Sequence, residues 1–379
     1  MGRPDSGVLS SFNEQISKEI LSLREQNPEW GPITLLVELQ ENPRLNLMVL
    51  PSIRSIARFL DKKGLSKSYQ PHSSLPVDKI FKPKKSHQLW QIDGQGNSSI
   101  DDVGPIAMLN IKDVYSKVYV ASWPAEMKSM QGHPNTSDYQ TCLRLGFLEF
   151  GLPKTVQTDH ASVFYDNKTK SPFPTILHLW LIGLGIKQIY SRVHQPTDQG
   201  VVERSHQTIE KQVLKRTEVF QDWERLYDFC QKRRKKLNEK IPSSSTNGQP
   251  PLIAHPEAKH SGRFFQIIQE ADLIKLKRVY KYLSKLTWFR RVGNNKTISL
   301  GGQVYYLSKG IPKQQLKITF KKKSKMLIFQ DDKEQKIAKL PIMGISKETL
   351  MGNLKVLPSY QLMIPFDNKT IKVNKLFES

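Results

Sequence analysis

The feature that most constrains this chain is a change of hydrophobic period along its length. Up to residue 65 the apolar residues recur at helical spacing. In Asn13 to Gln26, Ile16, Ile20 and Leu23 fall at i, i+4 and i+7. Pro28, Trp30, Gly31 and Pro32 break this helix, and a short second one carries Ile33, Leu36 and Val37. A third starts at Pro51 and Ser52, a proline plus a capping residue, and stops at Gly64. Its apolar face is Ile53, Ile56, Ala57 and Leu60, with Arg54, Arg58, Lys62 and Lys63 elsewhere on its surface. Three helices with a basic last one match a helix-turn-helix pattern.

Beyond a Ser-, Pro- and Lys-rich stretch at 66–85 the period alternates between strand and helix. Strands are expected at Leu89 to Ile92, near Ala107 to Ile111, at Lys117 to Ser122, at Thr155 to Thr158 and at Lys187 to Tyr190. Helices are expected near Ser137 to Phe150, at Thr175 to Leu184 and from Gly200 to Arg216. This order implies a mixed sheet covered by helices. The helix Asp222 to Asn238 contains the densest basic run, Lys232 to Lys236. In the last third, short strand-like runs at 296–300, 303–307, 315–320, 326–330 and 336–340 alternate with turn residues such as Gly301 and Gly302. Such spacing predicts a small β-barrel. The expected organisation is multidomain α+β: a helix-turn-helix domain over 1–68, a linker over 69–85, an α/β core over 86–218, a basic helix and connecting segment over 219–284, a barrel over 285–350 and a tail over 351–379.

Charge narrows the partners. With 58 Lys and Arg against 35 Asp and Glu, the 379-residue chain carries +23 at pH 7, an excess that calls for a polyanion. The longest apolar run, Phe173 to Ile186, includes His178 and falls short of the ~20 residues a spanning helix needs, so it is expected to be a buried helix and nucleic acid is preferred over a membrane. Residues 1–7 hold no apolar leader core, which implies a cytoplasmic protein. Cys142 and Cys230 are the only cysteines, too few for a disulfide framework or a thiolate zinc module.

Three acids stand apart by context. Asp93 follows an apolar strand and precedes Gly94 and Gly96, Asp159 follows the strand at 155–158, and Glu203 sits in the first turn of a helix entered through Gln199 and Gly200. Two strand ends and a helix start can converge at one sheet edge, where three carboxylates would need cations between them, and oxygen donors suit Mg²⁺ or Mn²⁺. Among 35 acids the bare pattern carries no weight. Asp101, Asp102 and Asp113 read as turn residues and Asp198 as a residue at a helix start, so local sequence decides.

The stretches HQLWQIDGQG (87–96), KTVQTDHASVF (154–164) and SRVHQPTDQGVVERSHQTIEK (191–211) resemble the three catalytic blocks of the integrase core of retroviral integrases and bacterial insertion-sequence transposases. The third is the most specific, with Gly200 three residues before Glu203, then Arg204 and a basic helix. PSIRSIARFLDKKGL (51–65) resembles the last helix of these enzymes' helix-turn-helix, PPLIAHPEA (250–258) the segment after their core, and residues 288–344 their C-terminal barrel. The resemblance implies a ribonuclease-H-like core acting in DNA integration. Asp93, Asp159 and Glu203 would hold two Mg²⁺ (or Mn²⁺) ions for cleavage and strand transfer. Arg54, Arg58, Arg204, His206, Lys211, Arg233 and Arg234 would contact DNA. It further implies a homo-oligomer on element ends and target DNA, in a bacterial cytoplasm and at the nucleoid when DNA-bound. Two departures stand out. Relatives carry Asn then Gly after the second acid, where this chain has His160 and Ala161. The 43 residues between Asp159 and Glu203 exceed the common spacing, and Tyr165 to Pro174 is the expected site of a surface-loop insertion. The rival reading is a catalytically inactive, domesticated DNA-binding relative.

Overall fold

The computed structural model describes residues 8–66, 81–100, 102–167, 169–191, 200–215 and 219–352, with the backbone of two further short strands at 361–363 and 370–372. Most of the expected linker and tail, with Asp101 and residues 192–199 of the third block, Asp198 among them, lie outside these residues. In chain order the elements begin α1 (Glu14–Gln26), α2 (Pro32–Glu41), α3 (Ile53–Lys62), β1 (Trp90–Gly94), β2 (Ser98–Ile100), β3 (Gly104–Asp113), β4 (Tyr119–Glu126) and α4 (Thr136–Phe150). They continue with β5 (Thr155–Thr158), α5 (Ile176–Leu184), β6 (Lys187–Tyr190), α6 (Gly200–Ile209), α7 (Trp223–Glu239), α8 (Pro251–Ala254), α9 (Glu270–Leu273) and α10 (Leu276–Leu283). The last are β7 (Thr287–Arg291), β8 (Thr297–Leu300), β9 (Gln303–Tyr306), β10 (Gln315–Lys321), β11 (Met326–Gln330), β12 (Lys336–Pro341), α11 (Lys347–Met351), β13 (Gln361–Met363) and β14 (Thr370–Lys372). No helix among the described residues is long and apolar enough to cross a membrane. The chain forms two compact units, 1–133 with 194–261 and 134–193 with 262–379.

In the first unit, α1 to α3 enclose a core of Ile16, Ile20, Trp30, Leu35, Leu39, Leu45, Ile56, Phe59 and Leu60. Local sequence sets their ends: the Asn13 side chain accepts from Gln15 N, Pro32 opens α2, and Ser52 Oγ accepts from Ser55 N. The buried face of α3 is Ile56, Phe59 and Leu60, whereas Ile53 is exposed. Arg54 and Arg58 also face solvent. The unit's sheet is antiparallel and built on β3, which pairs with β1, β2 and β4. β3 is buried without interruption from Ile106 to Asp113, and β4 from Tyr119 to Ala125. Apolar residues of α6, α7 and the turn between them cover one face through Ile106, Met108, Tyr119, Ile209, Val213, Phe220, Leu226, Cys230 and Leu237. The helix expected over 200–216 changes at Glu210, where Glu210–Leu214 widen into a π turn.

Helix α7 joins the N-terminal helices to this sheet, and here the structure corrects an expectation. Arg233 and Arg234 are buried, at 3% and 6% exposure, and are not presented to DNA. Arg233 donates to Glu38 and Gln212 and stacks over Trp30, 4.0 Å from the ring centroid. Arg234 Nη1 donates to the Tyr119 carbonyl at 3.1 Å. Lys236 pairs with Glu38 (2.8 Å) and Glu41 (2.6 Å), and Lys240 with Glu41. A helix turns once per 3.6 residues, so five consecutive cations cannot all face water. Arg233 falls on the stripe Leu226, Cys230 and Leu237, a spacing legible in the sequence.

In the second unit β5 and β6 pair in parallel from Thr155↔Lys187 to Thr158↔Tyr190, and α5 is buried as expected. Gly185 ends α5 at φ 74°, an αL cap that favours glycine, and a Cβ there would press on the Arg278 guanidinium, 2.9 Å from Nη1. Arg144 and Glu270, at 1% and 0% side-chain exposure, form a bidentate pair at 2.8 Å. Trp180 Nε1 also donates to Glu270, at 2.7 Å. The expected insertion over 165–174 is no free surface loop. Trp288 Nε1 donates to Pro172 O (3.2 Å), Arg290 Nη1 to Ser171 O (2.7 Å), and Phe173 packs on Trp288. The expected barrel is not closed among the described residues: β12, β11, β10 and β7 form an open antiparallel sheet, and β8 and β9 form a separate hairpin. Closure needs a continuous ladder, and hydrogen bonding stops at β7 and β12.

Candidate functional site

Asp93 is the fourth residue of β1 and pairs in register with Asn110 of β3. The strand extends one residue past it to Gly94, whose N–H donates to Asp93 Oδ1 at 2.9 Å. Glu203 lies in the first turn of α6, where the helix dipole favours a carboxylate. The helix is fixed to β1 by Val202 N donating to Gln91 Oε1 at 3.2 Å. Three residues after Glu203, one turn further on, His206 is buried between helix and sheet.

His206 brings these elements together. Ser122 Oγ donates to Asn110 Oδ1 at 2.7 Å, which orients the amide so that Asn110 Nδ2 donates to His206 Nδ1 at 2.9 Å. Nδ1 is thereby the acceptor, and in the neutral ring the proton resides on Nε2. Nε2 is buried without a hydrogen-bond partner and lies 3.3 Å from Asp93 Oδ2. The Glu203 carboxyl is raised above the usual range, first by burial, then by the negative charge of Asp93, with His206 opposing. Asp93, Glu203 and His206 therefore share one neighbourhood. The charge of Asp93 thus opposes that of Glu203, and carboxylate oxygens are hard donors of the kind divalent cations take. Among the described residues no three of His, Cys, Asp and Glu cluster closely enough to hold a metal ion.

Asp159 follows β5 in the second unit, and its Oδ1 accepts from Ala161 N at 2.9 Å. His160 beside it stacks on Tyr190, with centroids 5.2 Å apart and planes at 23°, and meets Tyr165 edge-on. Tyr190 OH donates to Phe164 O at 3.0 Å. His160 thus belongs to an aromatic cluster. Of the expected DNA contacts, Arg54, Arg58, Arg204 and Lys211 are exposed, whereas His206 faces Asp93 rather than solvent. Sequence reasoning missed Asn110 and Ser122. Asn110 and Lys112 alternate with the apolar Leu109 and Ile111, a signal that this strand has one chemically used face.

Residues 184–251 match the integrase core domain family. This segment contains Glu203, Arg204 and His206, and it supports the resemblance read from the sequence blocks. The HTLV-2 integrase catalytic core domain, solved with magnesium in a trimeric form, aligns at 13% identity over 46% of this chain and 99% of that one, with a TM-score of 0.34. A chain of the simian T-cell lymphotropic virus intasome, solved in complex with PP2A regulatory subunit B56 gamma, aligns at 11% identity over 85% of this chain and 96% of that one (TM-score 0.37). The BIV integrase catalytic core aligns at 17% identity over 45% of this chain and 95% of that one (TM-score 0.30).

Proposed function

We propose that this chain is a DDE-type transposase or integrase with a ribonuclease-H-like core, which binds the ends of a DNA element and cleaves and joins strands. The observation that carries the reading is the Asp93, Glu203 and His206 neighbourhood, of which Glu203 and His206 lie in the segment that matches the integrase core domain. Asp93 and Glu203, joined by Asp159, would hold the Mg²⁺ or Mn²⁺ ions. Ions held there would supply activation of water or of a DNA 3′-hydroxyl and stabilisation of the leaving oxygen in displacement at phosphorus. The chain's own contribution is orientation. The sheet fixes Asp93, the Gln91 contact fixes the start of α6 and with it Glu203, and the Ser122–Asn110–His206 relay holds an imidazole against Asp93.

Exposed Arg54 and Arg58 on α3, and Arg204 and Lys211 near the acids, would take DNA phosphates. The reading includes two ions per site, assembly into oligomers on DNA, and a bacterial insertion element as the source. A second reading, a DNA-binding relative without catalysis, draws on one observation: His160, beside the second acid, is engaged with Tyr190 and Tyr165.

The separating experiment compares wild type with Glu203→Gln, which keeps the side chain's size but loses the charge. Strand cleavage in Mg²⁺ or Mn²⁺ should fall ~10³-fold or more, while gel retardation of the same DNA in metal-free buffer should change little. Wild type that binds DNA but cleaves no better than the variant would decide for the inactive relative.

A further inference from the structure

Of the three acids of the proposed function, Asp159 alone lies in the second unit. It leaves β5 into a tight turn. Its Oδ1 accepts from Ala161 N at 2.9 Å, and Ala161 O accepts from Phe164 N at 2.8 Å and Tyr165 N at 3.0 Å. One side of this turn is held by Tyr190 of β6, which stacks on His160 and donates to Phe164 O. The other side is held by a side chain of the loop that follows. Asn167 Nδ2 donates at 2.7 Å to His160 O, the carbonyl of the residue after the acid.

Asn167 is exposed, and a side chain on an exposed loop steadies its neighbour only as well as its own backbone is held. Here that backbone is held. Asp166 Oδ2 accepts from Thr169 Oγ1 at 3.1 Å and from Phe173 N at 3.3 Å, which closes the loop on itself, and Arg290 Nη2 lies 3.9 Å away. β7 grips the far end. Phe289 N donates to Ser171 Oγ at 3.1 Å, beside the bonds from Arg290 to Ser171 O and from Trp288 to Pro172 O. The Phe173 ring fills the space between Trp288, 5.0 Å away by centroids, and Gly301, where a Cβ would lie 2.6 Å from the ring. An edge strand leaves backbone groups without a strand partner. The loop supplies one to β7, and β7 in return fixes the loop.

We infer that Asn167 and Arg290 are positioning residues for Asp159: β7 fixes the loop over 166–173, and the loop, through Asn167, fixes the turn that aims the carboxylate. The metal-holding role of Asp159 rests on the proposed function; the tether from β7 to the turn does not. A carboxylate on a turn that can swing must be ordered again each time an ion binds, so slackening the tether weakens metal binding before it weakens anything else.

The test compares full-length wild type with Asn167→Ala, Arg290→Met and the double variant. Hydrogen-deuterium exchange of the amides over 160–165 reads the tether directly and should be faster in every variant. Mn²⁺ binding, followed by loss of the free-ion signal in electron paramagnetic resonance, should need roughly 10-fold more metal in each, as should half-maximal strand cleavage in Mg²⁺. Cleavage at saturating Mg²⁺, the melting temperature of Asn167→Ala and duplex binding in metal-free buffer should stay at wild-type levels, a split that general destabilisation does not produce. Because the two residues act in series, the double variant should be no worse than the worse single one, whereas independent sites would add. Should Arg290→Met not fold, the exposed Asn167→Ala carries the exchange and metal comparisons. Unchanged exchange over 160–165, additive losses in the double variant, or faster exchange with unaltered affinity for Mn²⁺ would each overturn the proposal. A wild type that neither binds Mn²⁺ nor cleaves DNA defeats the enzyme reading and the metal role of Asp159, while faster exchange in the variants leaves the tether standing.

Discussion

His206 Nε2 lies 3.3 Å from Asp93 Oδ2, with the opposite ring nitrogen held by Asn110. The histidine thus acts as a positioning residue for a carboxylate on a neighbouring strand, and its ring orientation is set by Asn110 and Ser122 two strands deep in the sheet. Groups that orient a metal ligand typically contribute 10–100-fold to affinity or activity. His206→Ala should therefore lower cleavage by roughly 10–100-fold and raise the Mg²⁺ concentration needed for half-maximal rate. Asn110→Leu, which removes the amide that fixes the ring, should act in the same direction. Metal titrations of cleavage by both variants provide the check; a DNA affinity that falls as steeply as the rate would return His206 to a phosphate-contacting role.

Arg233 is a structural cation. Its contacts with Glu38, Gln212 and the Trp30 ring tie α2 to α7. Arg233→Ala leaves Glu38 half of its ion pairing and should destabilise the protein by about 3–5 kcal/mol, as broken buried pairs do. The salt dependence of DNA binding should be unchanged in a condition where the variant is folded. Urea denaturation and a binding series on one preparation test both halves; a flattened salt slope with unaltered stability would contradict the assignment.

Arg144 and Glu270 pose the same problem in the other unit, without solvent. Replacing Glu270 by Gln strands a buried guanidinium and should cost about 3–5 kcal/mol. The double replacement Arg144→Leu with Glu270→Leu should recover much of that loss, because no buried charge remains, though Trp180 Nε1 loses its acceptor. The ordering of the denaturation midpoints is the measurement. Equal loss in the single and double variants would mean that Trp180's acceptor, and not the charge pair, dominates.

His178, buried on α5 beside Tyr190 and Tyr282, is pushed down to about 4 by burial. Its folded value lies below the ordinary ~6.5, so between the two the unfolded chain binds the additional proton. Stability from this group is full above pH ~6.5, falls as pH drops toward 4 and levels off below, a change of up to roughly 3 kcal/mol. His178→Phe should flatten the stability profile between pH 6.5 and 4. An unaltered profile would locate the acid sensitivity elsewhere.

Much of this molecule was legible in its sequence wherever local rules suffice. The strands at 155–158 and 187–190 run exactly between their expected ends, and Thr175, Asp222 and Ser52 cap the helices they precede. The acids were singled out because a strand end or a helix start is a local property. Tertiary structure decided the rest. Whether Arg233 faces DNA or Glu38 depends on which side of α7 meets α2, and an Arg on an apolar stripe is invisible to a count of charges. His206 reads as a basic helix residue until Asn110 and Asp93, 96 and 113 positions earlier, close around it. The barrel expected from short strands and turns is an open sheet and a hairpin, because strand spacing fixes the lengths of ladders and not whether the last strand reaches the first. Lys112 shows the division most plainly: its sequence says only that a polar residue interrupts an apolar strand, and its burial, with Nζ 3.8 Å from the centre of the Tyr119 ring, exists only once β3 and β4 have paired.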